Sequence, residues 1–316
     1  MIDVLLATYN GEKYISQQIE SILSQSYTDF RLLISDDKST DNTVNIISDI
    51  MKMDSRISLF TQQENLGYVK NFEFLMGKVT NSYFMLSDQD DVWLPNKIEV
   101  SLDKIQKTNA LLVYSDLLVV DEKLNVINTS FWKSNNLFDK ITKYNCYEML
   151  MLSNTVTGCT IMANSNLLKQ SMPFPISKLV IHDYWLALMA MQKDAVAYID
   201  TPLIKYRQHS NNQVGSGIKK EKFESFYDKR ISFIDKKIQQ ISIYIQNKQK
   251  FTKNAQHLND EFLDFLNAKL KVKYISLTKL GIFFKVYKCE SFKTKFGNFL
   301  IYNIPFVYKI LFKLTD

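Results

Sequence analysis

Short apolar runs alternate with helically spaced apolar positions through the first 120 residues. Ile2–Leu6 is a β-rich run; Ile15, Ile19, Ile22 and Leu23 follow at helical spacing, with Gln, Glu and Ser between them. Phe30–Ile34 is the next run. Behind it, Ser39, Thr40 and Asp41 offer N-caps to a helical segment carrying Val44, Ile46, Ile47 and Ile50. Ile57–Phe60 predicts a third strand, and Asn65-Leu66-Gly67 predicts a turn into a helix with Val69, Phe72, Leu75 and Met76 on one face. Tyr83–Leu86 predicts a fourth strand. Pro95 suits the first turn of a helix bearing Ile98, Leu102 and Ile105. Leu111–Val113 and Leu117–Val120 read as further strands. This rhythm predicts an α/β fold with a mainly parallel sheet flanked by helices. Such sheets bind ligands beyond the carboxyl ends of their strands, so the residues after each strand are the candidates for chemistry.

Acids crowd two of those ends. Ser35-Asp36-Asp37 follows the second strand and Ser87-Asp88-Gln89-Asp90-Asp91 the fourth, while Ala7-Thr8-Tyr9-Asn10-Gly11 follows the first. Neither G-x-G-x-x-G nor G-K-[ST] occurs, which argues against a nicotinamide oxidoreductase and a P-loop NTPase. An acidic cleft binds a nucleoside diphosphate when a divalent cation bridges the two. The carboxylates of Asp88 and Asp90 suit Mg²⁺ or Mn²⁺. The bland reading is a solvated turn ahead of a helix, where acids are favoured in any case. Asp37 has the same duality: its carboxylate can accept from a pyrimidine N–H, or simply hold a turn. Asp41 reads as a structural cap.

Composition narrows the class. The chain has 316 residues, 46% hydrophobic and 23% charged, which argues against global disorder. Its longest apolar run, Tyr184–Met191, is too short to span a bilayer. Cys146, Cys159 and Cys289 lie far apart, unlike a disulfide scaffold or a Cys-rich zinc site, and suit a cytoplasmic setting. No secretory signal is apparent at the start. The net charge of +6 divides unevenly: residues 1–218 hold 19 Lys and Arg against 24 Asp and Glu, and residues 219–316 hold 20 against 9. The acidic part is unsuited to nucleic acid.

Taken in order and spacing, Ala7-Thr8-Tyr9-Asn10-Gly11, Gln25-Ser26-Tyr27, Ser35-Asp36-Asp37-Lys38-Ser39-Thr40-Asp41-Asn42-Thr43, Asn65-Leu66-Gly67 and Ser87-Asp88-Gln89-Asp90-Asp91 resemble the family 2 nucleotide-sugar glycosyltransferases of GT-A fold. The resemblance covers residues 1–215. It implies a nucleotide-binding half over 1–110 and an acceptor half over 111–218. By this resemblance, Tyr9 and Asp37 hold the pyrimidine base with Thr8 and Asn10 also in the nucleotide site, Asp88 touches the ribose, Asp90 ligates Mn²⁺ or Mg²⁺, and Lys70 is a candidate phosphate contact. Gly158 lies in a short strand under the donor sugar, and Cys159 is packing. Asp183 is the general base at the start of an apolar helix, with His182 and Trp185 on the acceptor or donor-sugar side. In Arg207-Gln208-His209, His209 closes on the metal or phosphate, and Arg207 pairs with phosphate or with an acidic strand end. The resemblance implies an inverting transfer from a nucleoside diphosphate sugar to a saccharide hydroxyl. Ser-Asp-Gln-Asp-Asp, His-Asp-Tyr-Trp and Tyr-Arg-Gln-His look most like bacterial rhamnosyltransferases, implying dTDP-β-L-rhamnose as donor. A UDP-hexose or UDP-HexNAc donor is the alternative. A sugar nucleotidyltransferase is disfavoured because Thr8–Glu12 lacks a glycine-rich basic loop; a non-catalytic membrane-associated scaffold is the remaining contrast.

The basic part differs. Tyr227, Ile231, Ile234, Ile238, Ile241 and Ile245 form a heptad seam, and Leu258, Phe262, Phe265 and Leu266 form a second apolar face after a polar break at residues 247–254. Two helices over 219–270 are predicted, as an antiparallel pair, a homodimer contact or packing on the catalytic domain. Residues 271–316 carry 9 Lys against one Asp and one Glu, with 11 Phe and Tyr among them. This pattern predicts an amphipathic tail on an anionic membrane surface, apt for a lipid-linked acceptor. A small helical subdomain with an aromatic core is the alternative.

Overall fold

The computed structural model describes residues 1–175, 177–209 and 226–271. The first part of the chain builds β1 (Ile2–Thr8), α1 (Ile15–Leu23), β2 (Phe30–Asp36), α2 (Thr43–Met51), β3 (Ile57–Thr61), α3 (Tyr68–Met76) and β4 (Tyr83–Ser87). Then come β5 (Val92–Trp93), α4 (Lys97–Thr108), β6 (Leu112–Val120), β7 (Val126–Asn128), α5 (Phe131–Ser134), α6 (Phe138–Tyr144) and α7 (Tyr147–Leu152). The remainder is β8 (Met162–Asn164), α8 (Ser165–Ser171), α9 (His182–Met191), β9 (Val196–Arg207), α10 (Phe226–Gln246) and α11 (Lys253–Lys271).

The sheet runs β3-β2-β1-β4-β8-β6-β9-β5, with β7 paired to β6. Its first four strands are parallel, as the alternating pattern predicts. β8 then pairs antiparallel with both β4 and β6, so the sheet is mixed beyond β4. β4 is buried along Phe84-Met85-Leu86, because a central strand covered on both faces needs a continuous apolar run. Ile15, Ile19 and Ile22 of α1 lie in the same core as Val4, Leu6, Leu32 and Ile34.

Two local predictions change. The runs Leu111–Val113 and Leu117–Val120 belong to one strand, β6, whose register with β9 shifts at Ser115 and Asp116. Buried Asp116 is tolerated there because its carboxylate accepts from Leu117 N, Trp132 N and Ser130 Oγ. The stretch entered through Gly158 is a 3-10 turn over Gly158–Thr160, held by Thr160 Oγ1 donating to the Thr157 carbonyl at 2.6 Å. Strand structure begins only at Met162.

The chain divides into two compact units. The sheet unit takes residues 1–138, 155–176 and 181–218; the helical unit takes 139–154, 177–180 and 219 onward. The helical unit therefore draws on two segments inside the predicted catalytic span. Within it, α10 and α11 pack on one another. Ile234 and Ile241 of the heptad seam are buried, as are Leu258, Phe262, Phe265 and Leu266. Lys237 Nζ donates to the Met151 carbonyl at 2.9 Å, and Tyr147 Oη bonds Asn259 at 3.0 Å. The predicted aromatic tail lies outside the described residues from 272 onward. Among the described residues no helix is long and apolar enough to cross a membrane.

Candidate active site

The loop after β1 is braced from two sides. From β2, Ser39 Oγ accepts from Asn10 N, Thr43 Oγ1 from Gly11 N and Asp41 Oδ2 from Glu12 N. Asn10 returns a bond, its Oδ1 accepting from Thr40 N at 2.8 Å. From β4, Gln89 Oε1 accepts from Thr8 Oγ1 at 2.6 Å and from Tyr9 N at 2.8 Å. Gln89 Nε2 donates to the Tyr9 carbonyl at 3.1 Å. Between these braces the Tyr9 residue is 45% exposed and free to lie along a ring.

Asp37 is 2% exposed, and its two oxygens accept from Leu66 N at 2.7 Å and Gly67 N at 2.8 Å. It thus anchors the Asn65-Leu66-Gly67 turn, where Gly67 takes φ +78°. Each carboxylate oxygen has a second acceptor site, so this anchoring leaves capacity for a base N–H. Asp41 accepts from Thr43 and Glu12, the capping role its sequence predicts. Lys70 is exposed on the first turn of α3.

A cluster of acids lies beyond β4. Asp90 Oδ2 pairs with His209 Nε2 at 2.8 Å, bringing together two residues 119 apart in sequence that were both expected beside a metal. Asp91 is fully buried; its Oδ1 accepts from Arg207 N, and its Oδ2 has no hydrogen-bond partner among the described residues. Burial, with Asp90 and Asp88 close by, pushes the Asp91 carboxyl well above the ordinary value. Burial, with Asp90 and Asp183 nearby, pushes Asp88 up to about 7. Asp88, Asp91 and Cys159 bring ligand atoms within 4.8 Å of one another. Beneath them Lys97 is fully buried, its Nζ 2.9 Å from the Cys159 carbonyl and 3.5 Å from the Trp93 ring centroid. Burial lowers its ammonium to about 7. Lys97 and Gln89 were not singled out by sequence reading. Lys97 opens a helix that also carries Glu99, Ser101 and Asp103 in its first two turns, so nothing in the pattern marked it as buried.

One predicted contact is corrected and one is settled between its alternatives. Arg207 is 2% exposed, and its guanidinium donates to the carbonyls of Asp90 and Glu122 and to Gln17 Oε1, with the Tyr14 ring 4.6 Å away. It therefore lies against the acidic strand end and staples the loop after β4. Trp185 is fully buried, with Nε1 bonded to the Ser171 carbonyl at 3.0 Å, so it is core and offers no face to a sugar.

Asp183 sits in the first turn of α9, whose ten residues are all buried. Tyr184 N donates to its Oδ1 at 2.6 Å, and Gly158 N–H also bonds it. A Cβ at Gly158 would fall 3.3 Å from Asp183 Oδ2, so glycine permits this approach. Burial raises the Asp183 carboxyl to about 6 despite these donors, near the range useful to a base at neutral pH. His182 stacks on Phe72 with centroids 4.4 Å apart; burial lowers its ring to about 3, so it is neutral. Tyr68, 42% exposed, feels the Asp183 charge and stands over this end of the site.

The acid cluster fits a hard divalent cation. It concentrates negative charge with one buried oxygen unpaired, and Asp90 with His209 supplies an oxygen and a nitrogen donor at its edge. Lys97 and the Cys159 thiol, which burial pushes well up, make the inner side less suited to it.

The acids after β4 lie within electrostatic reach of the buried carboxylate on α9, on a mixed sheet whose fold matches solved GT-A glycosyltransferases. The model of the family described as Glycosyl transferase family 2 matches residues 3–166. The chain belongs to this family and is a glycosyltransferase. It is 31% identical to a dTDP-rhamnosyl transferase, RfbG, of Shigella flexneri, over 95% of this chain and 100% of the relative. It is 29% identical to the Escherichia coli UDP-Glc:alpha-D-GlcNAc-diphosphoundecaprenol beta-1,3-glucosyltransferase WfgD, over 70% of this chain and 82% of that one. Two solved structures share the fold. S. aureus TarS 1-349 in complex with UDP-GlcNAc matches with TM-score 0.58 at 16% identity, over 98% of this chain and 86% of that one. The mannosyltransferase PcManGT from Pyrobaculum calidifontis in complex with GDP-Man and Mn2+ matches with TM-score 0.53 at 14% identity, over 99% and 87%.

Proposed function

We propose that this glycosyltransferase moves L-rhamnose from dTDP-β-L-rhamnose to a hydroxyl of a lipid-linked saccharide, with inversion and with a bound divalent cation. The observation that carries the chemistry is Asp183: a buried carboxylate, raised to about 6, within electrostatic reach of Asp88. Asp183 takes the proton of the acceptor hydroxyl as that oxygen attacks the anomeric carbon from the face opposite the nucleoside diphosphate. General-base help of this kind is worth about 10²–10⁴-fold. Tyr9 and Asp37 hold the pyrimidine, and Asp88 the ribose. Asp90 and His209 hold Mn²⁺ or Mg²⁺, which when bound neutralises charge on the departing diphosphate. Lys70, exposed on the first turn of α3, is the candidate phosphate contact.

The rhamnose donor is supported by the end-to-end similarity to the Shigella flexneri enzyme. The lipid-linked acceptor is supported by the diphosphoundecaprenol in the name of the Escherichia coli relative, which equally supports the second reading, a UDP-hexose donor. A nucleotide-sugar panel with Mn²⁺ separates the two. Turnover is expected with dTDP-rhamnose; turnover with a UDP-hexose and none with dTDP-rhamnose would sink the rhamnosyl reading. The Lys- and aromatic-rich composition of residues 272–316 supports a peripheral site on an anionic membrane. Salt-sensitive flotation with anionic liposomes is expected, and flotation unchanged by deleting that segment would refute it.

A further inference from the structure

Gln89 stands between the two acids of Asp88-Gln89-Asp90, yet its carboxamide is engaged with the loop after β1. It makes three bonds there: Thr8 Oγ1 and Tyr9 N donate to Oε1, and Nε2 donates to the Tyr9 carbonyl. With Tyr9 it uses one acceptor and one donor, as a paired strand residue would. Glutamate lacks the donor, and asparagine is one methylene shorter. The approach is close enough to constrain a third residue: a Cβ at Gly11 would fall 2.4 Å from Gln89 Oε1. The loop needs such support, because Asn10 holds φ +47°, a conformation few non-glycine residues adopt unaided.

We propose that Gln89 is a positioning residue for the nucleotide. It couples the metal-side loop after β4 to the base-side loop after β1 and holds Thr8, Tyr9 and Asn10 in their binding shape before the donor arrives. This rests on the donor reading above. The bonds from Ser39, Thr43 and Asp41 anchor Asn10, Gly11 and Glu12 to the β2 side. Those from Gln89 hold Thr8 and Tyr9 to β4. Apparent affinity falls by the fraction of molecules whose loop is competent, so a loop released to about one-tenth competence binds about tenfold more weakly. The transfer step is untouched once the donor is seated, so the loss appears in KM and not in kcat.

The test is Gln89→Leu, of similar volume at a partly exposed position. Binding of UDP and of dTDP is measured by calorimetry with and without Mn²⁺, beside steady-state kinetics. For the nucleotide that the wild type binds, Kd and donor KM are expected to rise about tenfold, with kcat within about threefold. Thr8→Val, which removes one of the three bonds, is expected to weaken binding less, and to add little in the Gln89→Leu background. Hydrogen exchange of the ligand-free protein reads the loop without any donor: the Tyr9 amide is expected to exchange at least about tenfold faster in Gln89→Leu. Unchanged Tyr9 exchange overturns the proposal. So does an unchanged Kd, or a loss confined to kcat, which would place Gln89 in the chemistry. Wild type that binds neither nucleotide but shows the exchange effect would bring down the donor reading, leaving the brace as a fold element only.

Discussion

The base-side loops and the acid cluster occupy neighbouring strand ends and are built on opposite principles. Around Thr8, Tyr9 and Asn10 the backbone donors and side-chain amides meet partners from β2 or β4. Around Asp88 and Asp91, charge is packed without full compensation: an unpaired buried oxygen, carboxyls pushed upward, and a buried lysine bonded to a carbonyl. Recognition of a planar ring calls for a surface already in shape, with its ordering entropy met on folding. Holding a cation and a departing diphosphate calls for negative potential kept in reserve, and that reserve destabilises the ligand-free protein. The first region costs little to leave empty; the second relaxes only when its charge is met.

The sharpest break in this contrast is Asp183→Asn. Turnover is expected to fall about 10²–10⁴-fold with folding intact by circular dichroism; near-normal turnover would remove the base assignment. The wild-type pH profile belongs beside it. A carboxyl raised to about 6 is in its base form above that value, so kcat/KM is expected to be flat above pH 7 and to fall as pH drops through about 6. Next is Lys97→Met, which leaves the buried Cys159 carbonyl without its donor. It is expected to cost about 1–3 kcal/mol in urea unfolding. Asp91→Asn should act the other way. A carboxyl whose folded value is raised loses stability as pH rises from the unfolded value through the folded one. Neutralising it is therefore expected to raise the urea midpoint at pH 8 in EDTA, with the gain fading towards pH 4. Combined with Lys97→Met it should recover part of that loss, because the two groups share one charge environment. The smallest effect belongs to the braced side. Ser39→Ala deletes the acceptor for Asn10 N and is expected to cost about 1 kcal/mol. Equal losses from Lys97→Met and Ser39→Ala would erase the distinction between the regions.

Much of the first region was legible in the sequence, because local patterns determine it. The four parallel strands follow from apolar runs separated by helical spacing, and Asp41 as a cap follows from its place before Thr43. That Asp90 and His209 belong to one site was suggested only by the family resemblance, which rests on the order of several motifs. Trp185 was misread, and Arg207 left between two readings, for a common reason. Their chemical type suits a ligand, and nothing in the sequence records that their donors are used on Asp90, Glu122 and Ser171 carbonyls. Gln89 was hidden between two acids that drew the attention. Its partners lie 80 and 81 positions away, a distance at which no periodicity speaks. A short strand was expected near Gly158, but its start at Met162 and its antiparallel pairing were likewise invisible, since a three-residue strand carries too little pattern.

The helical unit has a consequence for how this protein is made. Its residues 139–154 and 177–180 are synthesised long before the helices they bond, and the Met151 and Leu179 carbonyls wait for Lys237 and Gln240 as Tyr147 waits for Asn259. At about 5–20 residues per second the delay on the ribosome is on the order of ten seconds. Through that interval these groups lack the partners they have in the finished protein, so the helical unit closes only when its last helix has been made.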